Sequence, residues 1–424
     1  MRCVIRTGLL ALILASASLG CSSSGDDKGS SSTTEGVEVE VFSWWTAPGE
    51  AEALQSLFDL HKKKFPKARI FNAAADPSVV SGGVQAKEIL QQRLQAGDPP
   101  DSFQTNAFEL HRGYLAERAD LLTPLDDLFE QQGLSQDIVP ELLDGLTVNG
   151  HVVAVPVNVH RDNSLFYNQT LFTEHGVEPP KTMAEFLSVC EKLKQAGVTP
   201  LAISTSQSWI INKVFVALAL GSMGPDKFVK YFIDKAPIEE ADMAPAIALL
   251  DRVLTDYIDV DAAAAEGYGW TQAADALHDG KAAMFIHGDW AKGYLTQIGW
   301  TPGVDFGVTT TPDSGGAFVY GSDVFAIPAG AKHNAQALDW LRTVTSSEGQ
   351  IAFNEAKGSS PVRLSLSDKG LDPMAKATYA DLKNSKTRLT GVGMPTVWDD
   401  GLVQLAKDHD QQALLKTILD NPML

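Results

Sequence analysis

The sequence predicts an α/β protein of two domains. Three observations carry that expectation. From residue 37 to 106 the pattern runs strand, helix, strand, helix, strand, an order that argues for a mostly parallel sheet. Residues 37–424 are enough chain for two domains. Two apolar runs, near 158–163 and 320–323, are interrupted by polar residues, as a strand would be that leaves one domain, crosses polar space and enters the next.

Residues 1–20 read as a targeting segment. Arg2 and Arg6 precede an apolar stretch too short to span a bilayer, and small residues lead to Cys21. Gly20-Cys21 followed by Ser22-Ser23-Ser24-Gly25 resembles a bacterial lipoprotein junction, with Leu19 one place later than the usual pattern. Lipidation at Cys21 is therefore expected, with 21–36 a disordered tether of Ser, Thr, Gly and Asp.

The alternating strand 37–42 stops at Trp44-Trp45. Successive strand side chains face opposite sides, so at least one indole must lie off the core face, at the strand's C-terminal end. Ligands bind at that end of open α/β sheets. After Pro48-Gly49, a helix over 50–65 places Ala53, Leu54, Leu57, Phe58 and Phe65 on one face, with His61 in register and Pro66 as its stop. A strand at 69–74, a helix at 84–95 and a strand at 101–106 follow, which brings Gln104 to the same sheet edge as Trp45. Asn149-Gly150 between apolar runs marks a hairpin.

Further on, Thr182 with Glu185 three residues later caps a helix over 182–196, and 200–204 reads as a strand. Helices are expected at 210–222, 226–233, 241–256 and 271–278. A strand at 282–286 runs into Gly288-Asp289-Trp290, a second tryptophan at a strand end. Strands at 305–310 and 317–327 and helices at 335–345, 349–355, 375–384 and 401–420 complete the chain.

The formal charge of −19 becomes −21 once Arg2 and Arg6 leave with the leader, which argues against nucleic acid and against an anionic membrane surface. Of three cysteines, Cys3 lies in the leader and Cys21 at the junction, so Cys190 has no disulfide partner and reads as a small buried hydrophobe. Trp44, Trp45, Trp270 and Trp290 all stand near Gly, Asp or Glu at strand ends or loops. Pyranose C–H faces stack on indoles, and buried hydroxyls need planar donors and acceptors beside them. That pairing favours a sugar; no basic cluster, phosphate loop, metal-ligand spacing or cofactor motif competes with it.

The ordered set Phe42-Ser43-Trp44-Trp45, Gly97-Asp98-Pro99-Pro100-Asp101-Ser102-Phe103-Gln104, Val155-Pro156-Val157-Asn158-Val159-His160-Arg161, Gly280-Lys281-Ala282-Ala283 with Gly288-Asp289-Trp290, Ser322-Asp323 before Phe325-Ala326-Ile327-Pro328, and Lys357-Gly358-Ser359 spans nearly the whole mature chain. Together these motifs closely resemble the extracytoplasmic sugar-binding proteins of ABC importers, most of all their glucose/mannose-binding branch. The resemblance implies a two-lobed, periplasmic-binding-protein-like α/β fold with three crossover segments. It places 37–158 and 325–360 in an N-terminal lobe, and 159–324 and 361–424 in a C-terminal lobe. The third crossing falls near 357–363. It further implies a monomeric, exported binding protein, not an enzyme, that captures glucose, mannose or a short oligosaccharide and presents it to a membrane permease. The family's ligand positions carry over onto Trp44, Trp45, Glu50, Gln104, His160, Trp270, Asp323 and Lys357. Trp44 or Trp45 and Trp270 would stack on the sugar; Glu50, Gln104, Asp323 and Lys357 would bond its hydroxyls. Asn106 stands where some relatives carry a histidine, and Gly391-Val392-Gly393 lacks a histidine that some use, which leaves the particular sugar open.

Competing readings of single residues bear on this. Asp289 in Gly-Asp-Trp suits a turn that caps backbone amides, and His160 can orient a crossing strand as well as touch a ligand. Asp323 is the firmer site residue, because a carboxylate inside an apolar strand must be hydrogen-bonded or face a cleft. Two other functions fit the same residues: a secreted carbohydrate-active enzyme using Glu50 and Asp323 as paired carboxylates, and a sensor lobe for a signalling partner.

Overall fold

A computed structural model describes residues 36–74, 83–111, 113–390 and 394–423. The expected leader, Cys21, the tether up to residue 35 and the 391–393 loop lie outside the described residues. The strands are β1 (Glu38–Phe42), β2 (Arg69–Asn72), β3 (Ser102–Asn106), β4 (Thr147–Val148), β5 (His151–Val152), β6 (Ala154–Pro156), β7 (His160–Arg161), β8 (Ser164–Asn168), β9 (Thr199–Ala202), β10 (Ala282–His287), β11 (Phe306–Thr310), β12 (Phe318–Gly321), β13 (Asp323–Ala326) and β14 (Arg388–Thr390).

The first lobe is built on a sheet of order β2-β1-β3-β13-β6. β1 pairs in parallel with β2 and β3, as the strand–helix alternation requires. β13 runs against both β3 and β6, because it re-enters this lobe from the other one. The helix Glu50–Lys64 lays Ala53, Leu54, Leu57, Phe58 and His61 on the core, with Glu50 and Glu52 in its first turn and Lys62, Lys63 and Lys64 in its last, matching its dipole. His61 is a core residue: burial pulls its pKa down to about 4, and Nδ1 lies 3.0 Å from Thr343 Oγ1. The β4–β5 hairpin turns on Asn149 at φ 52° and Gly150 at φ 83°, the left-handed pair that the Asn-Gly signal predicts.

The second lobe has the sheet order β11-β8-β10-β9, with β8 antiparallel to both neighbours and β9 parallel to β10. The helix Met183–Gln195 carries the expected Thr182/Glu185 capping box. Where helices at 210–222 and 226–233 are expected, the helix Ser208–Phe228 is broken at Gly224, whose φ of 79° precedes Pro225, and Val229–Ile233 continues it. Ile210, Ile211, Val214, Phe215 and Leu218 of this helix fill the second core, and Cys190 is buried in the same core. Burial pushes the Cys190 thiol well up, so it stays protonated.

Three segments run side by side between the lobes. Val157 N donates to Asp323 O at 3.0 Å, and Val159 and Ser360 exchange backbone bonds at 2.8 and 2.9 Å. β7 also pairs antiparallel with β12. These contacts lie at the three crossings expected near His160, Asp323 and 357–363. The stretch after the third crossing differs from expectation. Placed with the C-terminal lobe by resemblance, it buries Val362, Leu371, Ala375, Tyr379 and Leu382 in the first core instead. Arg363 pairs with Asp137 at 2.7 Å, and Tyr379 Oη donates to Arg363 O and Leu366 O, so the strap 361–384 is tied down where it returns. The helices Thr396–Asp408 and Gln411–Asp420 close the second core through Trp398, Leu402, Leu414 and Ile418.

Candidate ligand site

The first lobe supplies a wall of paired polar groups. Beyond β1 the chain turns out of the strand, because Ser43 N donates to Asn72 Oδ1 at 3.0 Å and Ser43 Oγ to Gln104 Oε1 at 2.6 Å. The strand-alternation argument therefore stops short of the two tryptophans. Trp45 swings into the first core, 1 % exposed, against Phe325 at 5.7 Å and Phe353 at 4.8 Å between ring centroids. Trp44 is part-buried, with Lys87 Nζ 5.6 Å from its ring. Lys357 ends the helix Ser347–Lys357, is almost fully buried and donates to Glu50. Its Nζ lies 5.6 Å from the Trp45 ring and 5.8 Å from the Trp290 ring, so one ammonium stands between indoles of both lobes. Gly358 follows at φ 84°; a Cβ there would come within 2.7 Å of Gly293 N.

A buried polar join links this wall to the second lobe. Asp323 Oδ1 accepts from Asn106 at 2.8 Å and Gln104 at 3.4 Å; Oδ2 accepts from Asn158 at 3.0 Å. His160 Nδ1 lies 2.6 Å from Asp289 Oδ1, and its Nε2 lies 3.0 Å from Asp323 Oδ2 and 2.8 Å from Asn158 Nδ2. A protonated ring donates to both carboxylates, whereas a neutral ring can accept from the Asn158 amide. Burial pulls the His160 pKa down, but Asp289 and Asp323 outweigh it and hold it above its ordinary value. Burial pushes Asp323 up, yet His160, Lys357 and Asn158 hold it below the usual carboxylate range. Asp289 also accepts from Arg161 N at 2.8 Å, which fixes the turn before Trp290 to the first crossing. Arg161 in turn reaches Asp381 at 2.8 Å.

The second lobe supplies a wall of rings. Trp270 opens the helix Trp270–His278 and stacks on His287, centroids 5.6 Å apart and planes 15° apart. Trp290 stands edge-on to His160 and His287, each at 4.8 Å. Lys213 Nζ lies 5.0 Å from the Trp290 ring and 2.8 Å from Asp162. Gly293, on the short helix Ala291–Gln297 behind Trp290, lets the lobes approach: a Cβ there would sit 2.6 Å from the backbone oxygen of Lys357.

Of the expected contacts, Trp45 and Glu50 meet at the Lys357 ammonium, Gln104 and His160 meet at Asp323, and Trp270 connects to Lys357 through His287 and Trp290, whereas Trp44 lies towards Lys87. Trp290, His287 and Lys213 were not among the expected contacts. Trp290 carried a signal, a tryptophan beside Gly and Asp at a strand end. His287 and Lys213 carried none, one ending an apolar strand and the other lying inside an apolar helix. Among the described residues no group of His, Cys, Asp and Glu is arranged to hold a metal ion. The arrangement offers ring faces on one side, and fixed donors and acceptors on the other. Both carboxylates nearest the crossings are already tied by several donors.

Residues 48–351 match the family of bacterial extracellular solute-binding proteins. The chain is 34 % identical over 385 residues to an uncharacterized ABC transporter extracellular-binding protein of Pyrococcus horikoshii, covering 89 % of this chain and 84 % of that protein. It is 32 % identical over 362 residues to a probable sugar-binding periplasmic protein of Brucella suis, covering 85 % and 83 %. Among solved structures, the bacterial solute receptor AcbH, described by its preference for β-D-galactopyranose, superposes with a TM-score of 0.73 at 17 % identity over 90 % of this chain and 96 % of that one. The chain belongs to the bacterial extracellular solute-binding proteins, with their two-lobed α/β fold.

Proposed function

We propose that this protein is a lipid-anchored receptor that captures a neutral pyranose, or a short oligosaccharide of it, between its lobes and delivers it to the permease of an ABC importer. The observation that carries the reading is Lys357. Its ammonium lies between Trp45 of one lobe and Trp290 of the other while it pairs with Glu50. Ring faces and charged hydrogen-bonding groups meet there, as the two surfaces of a sugar require. Trp290 and Trp270 stack on the ring, and Lys357, Glu50 and Gln104 bond hydroxyls. Asp323 and His160 set the lobe–lobe join beside them.

The names of the Brucella relative and of AcbH support a sugar. The negative charge of the chain suits a neutral ligand better than an anionic one. Ligand contacts drawn from both lobes are complete only when the lobes are together, so binding shifts the population towards the closed form that a permease reads. Residues 37–158 and 325–360 form the core of one lobe and 159–324 with 394–420 that of the other, with 361–384 returning over the first. Cys21 carries the lipid, and 22–36 tether the receptor to the extracytoplasmic side of the membrane as a monomer.

Tryptophan fluorescence during titration with monosaccharides and short oligosaccharides tests the reading, with released reducing ends assayed in the same samples. Saturable change with intact sugar is expected. Product accumulating beyond one equivalent would replace the receptor with an enzyme.

A further inference from the structure

β10 ends in a histidine that the hydrogen-bonding described above leaves out. His287 is 0 % exposed, and neither ring nitrogen has a hydrogen-bond partner among the described residues. Four aromatic rings surround it. Phe285 and Trp270 stack on it at 4.7 and 5.6 Å, Trp290 meets it edge-on at 4.8 Å, and Trp209 tilts against it at 5.5 Å. Burial, joined by the charges of Lys213, Lys357 and His160, holds its pKa well below the ordinary value. The ring is therefore neutral, with one N–H donor and one lone-pair acceptor.

A buried donor and acceptor without partners cost stability that a phenyl ring of similar shape would not. A residue serving only as a stacking filler between Trp270 and Phe285 has no need of nitrogens. The cost is understandable if a ligand satisfies them. The two indoles that bracket the ring are the two that the proposed function assigns to the sugar face. The charged groups on the opposite wall are already paired with one another.

We infer that His287 reads one hydroxyl of the bound sugar, acting as the neutral donor–acceptor of the aromatic wall and making the site selective for sugars bearing that hydroxyl. The inference rests on the proposed sugar site and adds to it the group that rejects deoxy analogues. Losing a hydroxyl that a buried polar group was built to meet leaves that group unpaired, which is a stronger basis for discrimination than apolar contact.

The test titrates the full mature protein with D-glucose, D-mannose and D-galactose, and with the monodeoxy analogues of whichever of the three binds most tightly. It compares the wild type with His287→Phe. The phenyl ring preserves the stacks while removing both nitrogens. The expected result is a melting temperature of His287→Phe at or above that of the wild type. Affinity for the parent sugar falls by about tenfold or more, on the scale of one lost hydrogen bond whose partner stays buried. One deoxy analogue that the wild type disfavours is then bound by His287→Phe as well as the parent sugar. A structural role alone would lower the melting temperature and leave the deoxy discrimination unchanged, and that result overturns the inference. Trp290→Ala separates the two levels. If it abolishes binding while His287→Phe keeps the wild-type pattern, the site stands and the role of His287 falls. If neither these three sugars nor short oligosaccharides of them bind the wild type, both fall.

Discussion

The two walls of the candidate site are built on opposite principles. On the first lobe, Glu50, Lys357, Gln104, Asn106, Asn158 and Asp323 satisfy one another through ion pairs and hydrogen bonds. On the second, Trp270 and Trp290 offer ring faces, and His287, buried against them, has no hydrogen-bond partner among the described residues. The difference teaches where each kind of energy resides. The polar wall is pre-organised, so its dipoles need not be ordered again when a ligand arrives. The aromatic wall supplies area and shape. The His160 join keeps the two in register, because its imidazole touches a carboxylate from each side.

Severing that join should have the largest effect on the fold. His160→Ala leaves Asp289 and Asp323 buried without their shared partner, and urea unfolding should show a loss of about 3–5 kcal/mol, the usual consequence of stranding buried charge. A loss below about 1 kcal/mol would mean that the amide donors alone carry the carboxylates. Removing a ring from the other wall should act on binding instead. Trp290→Ala is expected to weaken sugar affinity by about thirtyfold or more, the scale of a central aromatic contact. Its unfolding free energy should change less than that of His160→Ala; the reverse ranking would merge the two walls into one.

The contact between the walls can be probed without replacing a side chain of either. The Cβ of Gly293→Ala would meet the Lys357 carbonyl at 2.6 Å. Because that neighbour is backbone, the lobes must part slightly, at the cost of about 1–3 kcal/mol that overpacking brings. Calorimetry should show affinity falling by about tenfold or more, through closure rather than contact. Unchanged affinity would place this helix outside the closing surface.

A smaller effect follows pH. His160 has a raised pKa in the folded chain, so its contribution is fully present below about pH 6.5, its unfolded value, and is lost as pH rises through the folded value. Asp323 has a lowered pKa, so its contribution is present above the usual carboxylate range and lost as pH falls through its folded value. The stability difference between wild type and His160→Gln should therefore be greatest in mildly acidic solution and shrink above neutrality. The Asn158 amide, 2.8 Å from Nε2, stands ready to bond the neutral ring and limits the loss. A difference that is flat with pH would contradict the imidazolium bridge. Smallest of all, Lys87→Ala beside Trp44 should leave affinity unchanged and stability within about 0.5 kcal/mol.

How much of this was legible in sequence depended on whether a residue broke a local rule. Asp323 interrupts an apolar strand, so its burial among donors could be anticipated. Thr182 with Glu185, Asn149-Gly150 and the polar residues at 158–163 announced a cap, a turn and a crossing through local chemistry alone. Which of Trp44 and Trp45 enters the core was not legible, because the period-two argument holds only inside a strand and β1 ends at Phe42. Ser43 then redirects the chain through contacts to Asn72 and Gln104, which are distant in sequence. The strap 361–384 was misplaced for a similar reason: its apolar spacing says that Tyr379 is buried, but not against which lobe. His287 obeyed every local rule for a core strand, and only the absence of hydrogen-bond partners among the described residues sets it apart.

The most direct measurement is a crystal grown with the sugar that gives the strongest saturable fluorescence change. Density for the ring should lie on Trp290, with hydroxyls within hydrogen-bonding distance of Lys357 and Glu50. Sugar density away from Trp290 and Lys357, or none at a saturating concentration, would contradict a site shared by a polar and an aromatic wall.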